Sequence, residues 1–197
     1  MRPVQAVLAS GNAGKVREFA ALLDARGIEV IPQTAFGIIA PEETGTTFLD
    51  NALLKARHAA AGSGLPALAD DSGIEVDALG GRPGVGSARY AGAQASDTDN
   101  LALLLHELAG VPDARRSARY RCVLVFVRNA ADSDPVIATG VWEGHVLTEL
   151  RGMGGFGYDP VFQPEGFVIT VAEMPAAQKN LLSHRAQALR ALLAALT

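Results

Sequence analysis

The chain contains only one cysteine, Cys122, so no disulfide can close within it. Apolar neighbours on both sides mark Cys122 as an ordinary core thiol, and a reducing cytoplasm is the compartment expected for such a chain. Long apolar runs are also missing. No stretch reaches the roughly 20 residues that a membrane-spanning helix needs, so no membrane partner is expected. The run Val4 to Ala9 is too short for the apolar core of a signal peptide and lacks a small-residue cleavage pattern. Positive charge is scarce too: 17 Lys and Arg against 21 Asp and Glu give a net charge of −4, which argues against a nucleic-acid partner. The densest basic stretch, Arg115, Arg116, Arg119 and Arg121, reads as a solvated turn and strand start. Charged residues make up 19% of the chain and hydrophobic ones 49%, which excludes a disordered chain.

What is present reads as one domain over residues 1–197, without internal repeats, low-complexity tracts or long linkers. Pro3 to Ala9 has the pattern of a buried strand, followed by the polar loop Ser10-Gly11-Asn12-Ala13-Gly14-Lys15. A helix with Val16, Phe19, Ala20, Leu22 and Leu23 on its apolar side comes next, with Gly27 as its stop. Ile28 to Ile31 is a second strand, so the first three elements predict a parallel βαβ unit. Thr47, with Asp50 three residues on, starts a helix that runs to about Ala61 and ends at Gly62 and Gly64. Leu68 to Asp71 and Ile74 to Leu79 read as two strands around a Ser-Gly turn. Asp97 or Thr98 caps a helix through Leu101, Leu104, Leu105 and Leu108. Ala118 to Val127, apolar on both faces in its second half, reads as a central strand with Val136 to Trp142 beside it. The last helix carries Leu182, Leu189, Leu193 and Leu196 on one stripe. The fold class expected is α/β, a central mixed sheet flanked by helices.

Five segments have the residue types of phosphate, metal and base chemistry. Ser10 to Lys15, between a strand and a helix, offers backbone N–H groups, the Asn12 amide and the Lys15 ammonium to an anion. It is not a Walker A loop, because the spacing differs and Val16 follows the lysine. Glu42-Glu43 and Asp70-Asp71 are acidic pairs; magnesium takes one or two carboxylates, completed by waters and phosphate oxygens. Alternation along a strand turns Asp70 and Asp71 to opposite sides, and Asp71 sits where ligands of α/β sheets collect. Asn51, Lys55 and His58 share one helical face, for which solvent exposure is the ordinary explanation. Gly152 to Pro160 contains a literal G-x-G-x-x-G, but the Tyr-Asp-Pro ending cannot open the helix of a dinucleotide fold. A glycine-dense loop that lets Phe156 stack on a flat ligand is the better reading. Lys179 and Ser183-His184-Arg185 complete the set, with two cations placed against the dipole of the last helix.

Together these segments resemble the inosine/xanthosine triphosphate pyrophosphatase family, the enzymes that clear deaminated purine nucleotides. The matching pieces run collinearly: Ser10 to Lys15, Phe48 to Ala56, Ala69 to Ile74, Gly81 to Gly84, Ser87 to Tyr90, Gly154 to Pro160 and Ser183 to Arg185. Two positions depart from the pattern: Gly86 stands where a bulky residue is usual, and Asp50 where glutamate is usual. The resemblance implies two lobes around a long nucleotide-binding cleft, a homodimer, and Mg2+ dependence, with Mn2+ as an alternative. It implies Asp71 as general base and metal ligand, and Glu42 as a metal carboxylate with Glu43 a second candidate. Ser10, Gly11, Asn12, Ala13, Gly14, Lys15 and Lys55 correspond to triphosphate contacts. Ser72, Phe156, Gly157, Tyr158, Asp159, Lys179, His184 and Arg185 correspond to nucleoside contacts. The activity implied is hydrolysis of ITP, dITP and XTP to the monophosphate and pyrophosphate. The competing readings are an NTPase that releases orthophosphate and a nucleotide-binding sensor without turnover.

Overall fold

The computed structural model describes residues 4–24 and 28–196. Pro3 and Gly27, expected to begin a strand and to end a helix, lie outside the described residues. Among the described residues, six strands form one mixed sheet in the order β2-β1-β3-β4-β5-β6. They are β1 (Val4–Leu8), β2 (Ile28–Pro32), β3 (Ala67–Val76), β4 (Ser117–Val127), β5 (Val136–Val146) and β6 (Phe162–Pro164). The helices are α1 (Ala13–Asp24), α2 (Phe48–Ser63), α3 (Asp97–Glu107), α4 (Ala176–Leu182) and α5 (His184–Ala195). β1 runs parallel to β2, with Val4 opposite Ile28, and parallel to β3, with Leu8 opposite Leu68. β5 and β6 are antiparallel. The expected α/β class and the opening parallel βαβ unit are both present.

The chain divides into two compact units: residues 1–71, 122–140 and 185–197 in the first, and 72–121 with 141–184 in the second. The core of the first gathers Leu8, Phe19, Leu23, Leu68, Cys122, Leu124, Leu189 and Leu192. Cys122 is fully buried there, and burial pushes its thiol pKa up, as expected of an inert core thiol. The second core gathers Ile74, Val76, Leu104, Leu108, Trp142, Tyr158 and Phe162, with Tyr120 among them.

Helix α2 starts as its sequence predicts: the Thr47 hydroxyl accepts from the Asp50 N–H at 3.1 Å and donates to the Asp50 carboxylate at 2.7 Å. Gly64, at φ 69°, ends it. Gly62 lies inside the helix rather than ending it; a Cβ there would come within 2.8 Å of Ile38. Ser96, one residue before the expected cap, caps α3 with Asp99 in a capping box. The two short strands expected on either side of Ser72-Gly73 are one continuous strand, β3. Gly73 is there for close approach and not for a turn: a Cβ would stand 2.3 Å from both the Gly84 carbonyl and the Ser87 Oγ. The stripe expected on the last helix also differs. Leu182 belongs to α4 and Leu196 is exposed, while Ala188, Leu189 and Leu192 are buried on α5.

The basic stretch is less solvated than expected. Arg116 is buried and donates to the carbonyls of Leu108 (2.8 Å), Val111 (3.1 Å) and Leu147 (3.2 Å), tying down the end of α3. Arg119 pairs with Asp77 and Glu143, and Arg121 with Glu75. These three arginines are therefore engaged within the second unit, while Arg115 is exposed as expected.

Candidate active site

In the first unit, the register of β1 on β3 sets the site. Leu8, the last residue of β1, lies opposite Leu68, so the Ser10 loop leaves the sheet beside the stretch of β3 that carries Asp70 and Asp71. Asn12 caps α1: its Oδ1 accepts from the N–H groups of Gly14 (2.8 Å) and Lys15 (3.0 Å), and Ser10 Oγ accepts from the Asn12 N–H (3.2 Å). These amides therefore serve the turn itself. Lys15, on the first turn of α1, reaches Asp70 at 2.9 Å. Arg185 is buried, 3.0 Å from Glu18 and 3.5 Å from Asp70.

Asp71 faces a different set of partners, as strand alternation predicts. Its Oδ1 accepts from Lys55 Nζ at 2.8 Å and its Oδ2 from Asn51 Nδ2 at 3.3 Å. Lys55 Nζ also lies 2.7 Å from Glu43. Asn51 and Lys55 are one helical turn apart on the buried side of α2, so this face is not the exposed polar one that spacing alone suggested. His58, the third member of that pattern, is exposed and bonds the Ile39 carbonyl instead.

The two aspartates differ electrostatically. Burial alone would raise the pKa of Asp70, but Lys15, Arg185 and Lys55 hold its carboxyl well below the usual range. For Asp71 burial wins: its pKa is raised, Lys55 offsets burial only in part, and the nearby Glu43 charge adds to the rise. Burial opposes the charge of Lys55, yet Asp71, Asp70 and Glu43 outweigh it and its pKa is raised. A buried carboxylate with a raised pKa, beside a charged lysine, is a fit general base. Two carboxylates, Glu43 and Asp71, already converge on one cation, the Lys55 ammonium. That donor set fits Mg2+, which needs one or two carboxylates beside phosphate oxygens and waters.

In the second unit, Asp159 organises a separate cluster. Its Oδ2 accepts from Lys179 Nζ at 2.7 Å and the Phe156 N–H at 3.0 Å, and its Oδ1 from the Tyr120 hydroxyl at 3.1 Å. Lys179 Nζ sits 4.5 Å over the Phe156 ring centroid. His184 stacks on Tyr120 with centroids 4.7 Å apart and planes 13° from parallel. The Tyr158 hydroxyl donates to the Ser87 carbonyl at 2.7 Å, and Gly157 N–H to Asp97 at 2.7 Å. The glycine-dense loop is thus pinned from three sides.

Residues 6–195 match the model of the Ham1 family. The chain belongs to the Ham1 family. Relatives include the dITP/XTP pyrophosphatase of Methylococcus capsulatus, 61% identical over 92% of this chain and 90% of that one. The dITP/XTP pyrophosphatase of Salmonella typhimurium is 54% identical over 96% of each chain. Among solved structures, a HAM1 protein from Coxiella burnetii superposes with a TM-score of 0.89 at 47% identity, covering 98% of both chains. A structure titled nucleoside-triphosphatase / dITP/XTP pyrophosphatase from Mycobacterium abscessus gives 0.75 at 40% identity, over 98% of this chain and all of that one.

In this Ham1 family chain, the expected phosphate and metal residues Lys15, Lys55 and Asp71 come together in the first unit. Glu42 is exposed; its neighbour Glu43 is the acid that closes on Lys55. Of the expected nucleoside contacts, Phe156, Asp159 and Lys179 meet directly in the second unit, and Tyr120 links His184 to Asp159. Ser72 is half-buried on β3, while Arg185 is committed to Glu18 and Asp70 in the first unit. Sequence reasoning missed Glu18 and Tyr120. Tyr120 had a signal: it shares the inward positions of β4 with Ala118 and Cys122, and a buried phenol needs a hydrogen-bond partner.

Proposed function

We propose that the protein hydrolyses deaminated purine nucleoside triphosphates (ITP, dITP and XTP) to the monophosphate and pyrophosphate. The observation that carries this is the Asp71 site: a buried carboxylate 2.8 Å from Lys55, which also meets Glu43, in a Ham1 family chain. Relatives named dITP/XTP pyrophosphatase at 54% and 61% identity support it. Asp71 takes the proton of a water that attacks the α-phosphorus. Lys55 and Lys15 supply positive charge toward the departing pyrophosphate, work that is mostly positioning and electrostatics. Glu43 and Asp71 are the residues suited to hold Mg2+ or Mn2+, with Glu42 adjacent. Such an ion, when bound, neutralises charge on the phosphate oxygens.

The Asp159 cluster suits a base. Phe156 is a stacking surface backed by Lys179, and His184 is the donor suited to a 6-keto oxygen. Donors aimed at a keto group are left unpaired by the 6-amino group of ATP, a mismatch that can discriminate on the order of 10⁴-fold. Arg185, bound to two carboxylates, acts better as a support for Lys15 and Asp70 than as a second keto donor. A homodimer and a cytoplasmic location complete the reading. The first rests on the family resemblance and is tested by light scattering; the second rests on the single buried thiol and a nucleotide substrate. None of the described helices is long and apolar enough to cross a membrane.

The test is product analysis after incubation with ITP, GTP and ATP, with and without Mg2+. Metal-dependent IMP and pyrophosphate from ITP, with GTP and ATP largely spared, is the expected result. Orthophosphate release, or ITP binding without turnover, would refute it.

A further inference from the structure

The geometry points to Tyr120 as the residue that sets how His184 and Asp159 are presented to the purine base, a positioning role in substrate selection. The inference rests on the assignment of the Asp159 cluster to the base. Tyr120 is 7% exposed, and its side chain makes two different contacts with that cluster. Its ring lies nearly parallel to the His184 imidazole, centroids 4.7 Å apart. Its hydroxyl donates to Asp159 Oδ1 at 3.1 Å. The opposite carboxylate oxygen is held by Lys179 and the Phe156 N–H, so the phenol is the contact that fixes the remaining oxygen and with it the carboxylate plane. Phe162 packs on the Tyr120 ring from another side, centroids 4.5 Å apart at 58°, and keeps the phenol from turning away. Tyr120 thus ties together two groups that are far apart in sequence, through one rigid ring with few torsions to freeze.

The two contacts separate by mutation. Tyr120→Phe keeps the ring and the stack and removes only the donor to Asp159. Tyr120→Leu removes both. With ITP as substrate, Tyr120→Phe should raise KM about tenfold, the effect of losing a hydrogen bond to a charged group. Its kcat should stay within about twofold of wild type, because the groups at the phosphates are untouched. Tyr120→Leu should raise KM further. In 15N-histidine spectra of the ligand-free protein, which has four histidines, one set of ring signals should keep its ring-current displacement in Tyr120→Phe and lose it in Tyr120→Leu. A wild-type KM in both variants would overturn the inference. So would a loss of kcat at unchanged KM that follows a lower melting temperature, the mark of a merely structural residue. Wild-type protein that releases no pyrophosphate from ITP would instead overturn the functional reading itself, and is recognised without any variant.

Discussion

Asp70→Asn removes the charge of a wholly buried carboxylate at the site and changes almost nothing in shape. The Asp70 side chain is wholly buried, with Lys15 at 2.9 Å and Arg185 at 3.5 Å. Breaking a buried ion pair by neutralising one partner costs about 3–5 kcal/mol, because a cation is left without compensation in a poor solvent for charge. Two features move this case to the lower end. Arg185 keeps Glu18 at 3.0 Å, and the Lys15 side chain is 15% exposed and can turn toward water. A loss of about 3 kcal/mol, at about 2–4 °C per kcal/mol for a chain of this size, lowers the melting temperature by roughly 6–12 °C. Circular dichroism melts of ligand-free protein at pH 7 measure it. Asp77→Asn is the internal comparison: Asp77 also pairs with an arginine, at 2.9 Å, but its side chain is 45% exposed. Exposed pairs contribute about 0–1 kcal/mol, so this variant should melt within a few degrees of wild type. An Asp70→Asn protein as stable as Asp77→Asn would refute the reasoning that burial makes the Asp70 pairing costly to break.

Other predictions follow from neighbouring features. Gly73→Ala forces a Cβ to within 2.3 Å of the Gly84 carbonyl and should be strongly destabilising, whereas Gly86→Ala enters open space and should be neutral or slightly stabilising in the same melts. Glu43→Gln should raise the Mg2+ concentration needed for half-maximal turnover more than Glu42→Gln does, because only Glu43 lies on the Lys55–Asp71 group; equal shifts would contradict this placement. Tyr90 is pushed up to about 12 by burial and its bond to Glu107. A folded pKa above the unfolded one means stability that is present below pH 10 and lost as pH rises through the folded value. Phenolate absorbance attributable to Tyr90, obtained by comparison with Tyr90→Phe, should therefore appear only near pH 12, and its appearance at the ordinary pH would show the contact to be absent.

What the sequence made legible was local. Thr47 and Asp50 announced the start of α2 because a cap is written within four residues. The doubly apolar second half of β4 announced a central strand. Alternation separated Asp70 from Asp71 before any partner was known. What stayed hidden depended on distant pairs. Nothing local distinguishes Glu42 from Glu43 in an irregular loop, since only the approach of Lys55 from α2 decides between them. Gly73 looked like a turn residue because its reason, the Ser87 loop packed onto β3, lies more than ten residues away in the chain. Tyr120 drew no notice because its partners, Asp159 and His184, follow it in the chain by dozens of residues. Arg185 looked like a ligand contact because its position beside His184 in sequence says nothing of Glu18.

The central claim is that water attacks the α-phosphorus under the control of Asp71. Hydrolysis of ITP in 18O-labelled water, with mass analysis of both products, tests it most directly. The account predicts the label in the IMP phosphate and unlabelled pyrophosphate, with the rate collapsing in Asp71→Asn. Label in pyrophosphate or in orthophosphate, or near-normal turnover by Asp71→Asn, would contradict it.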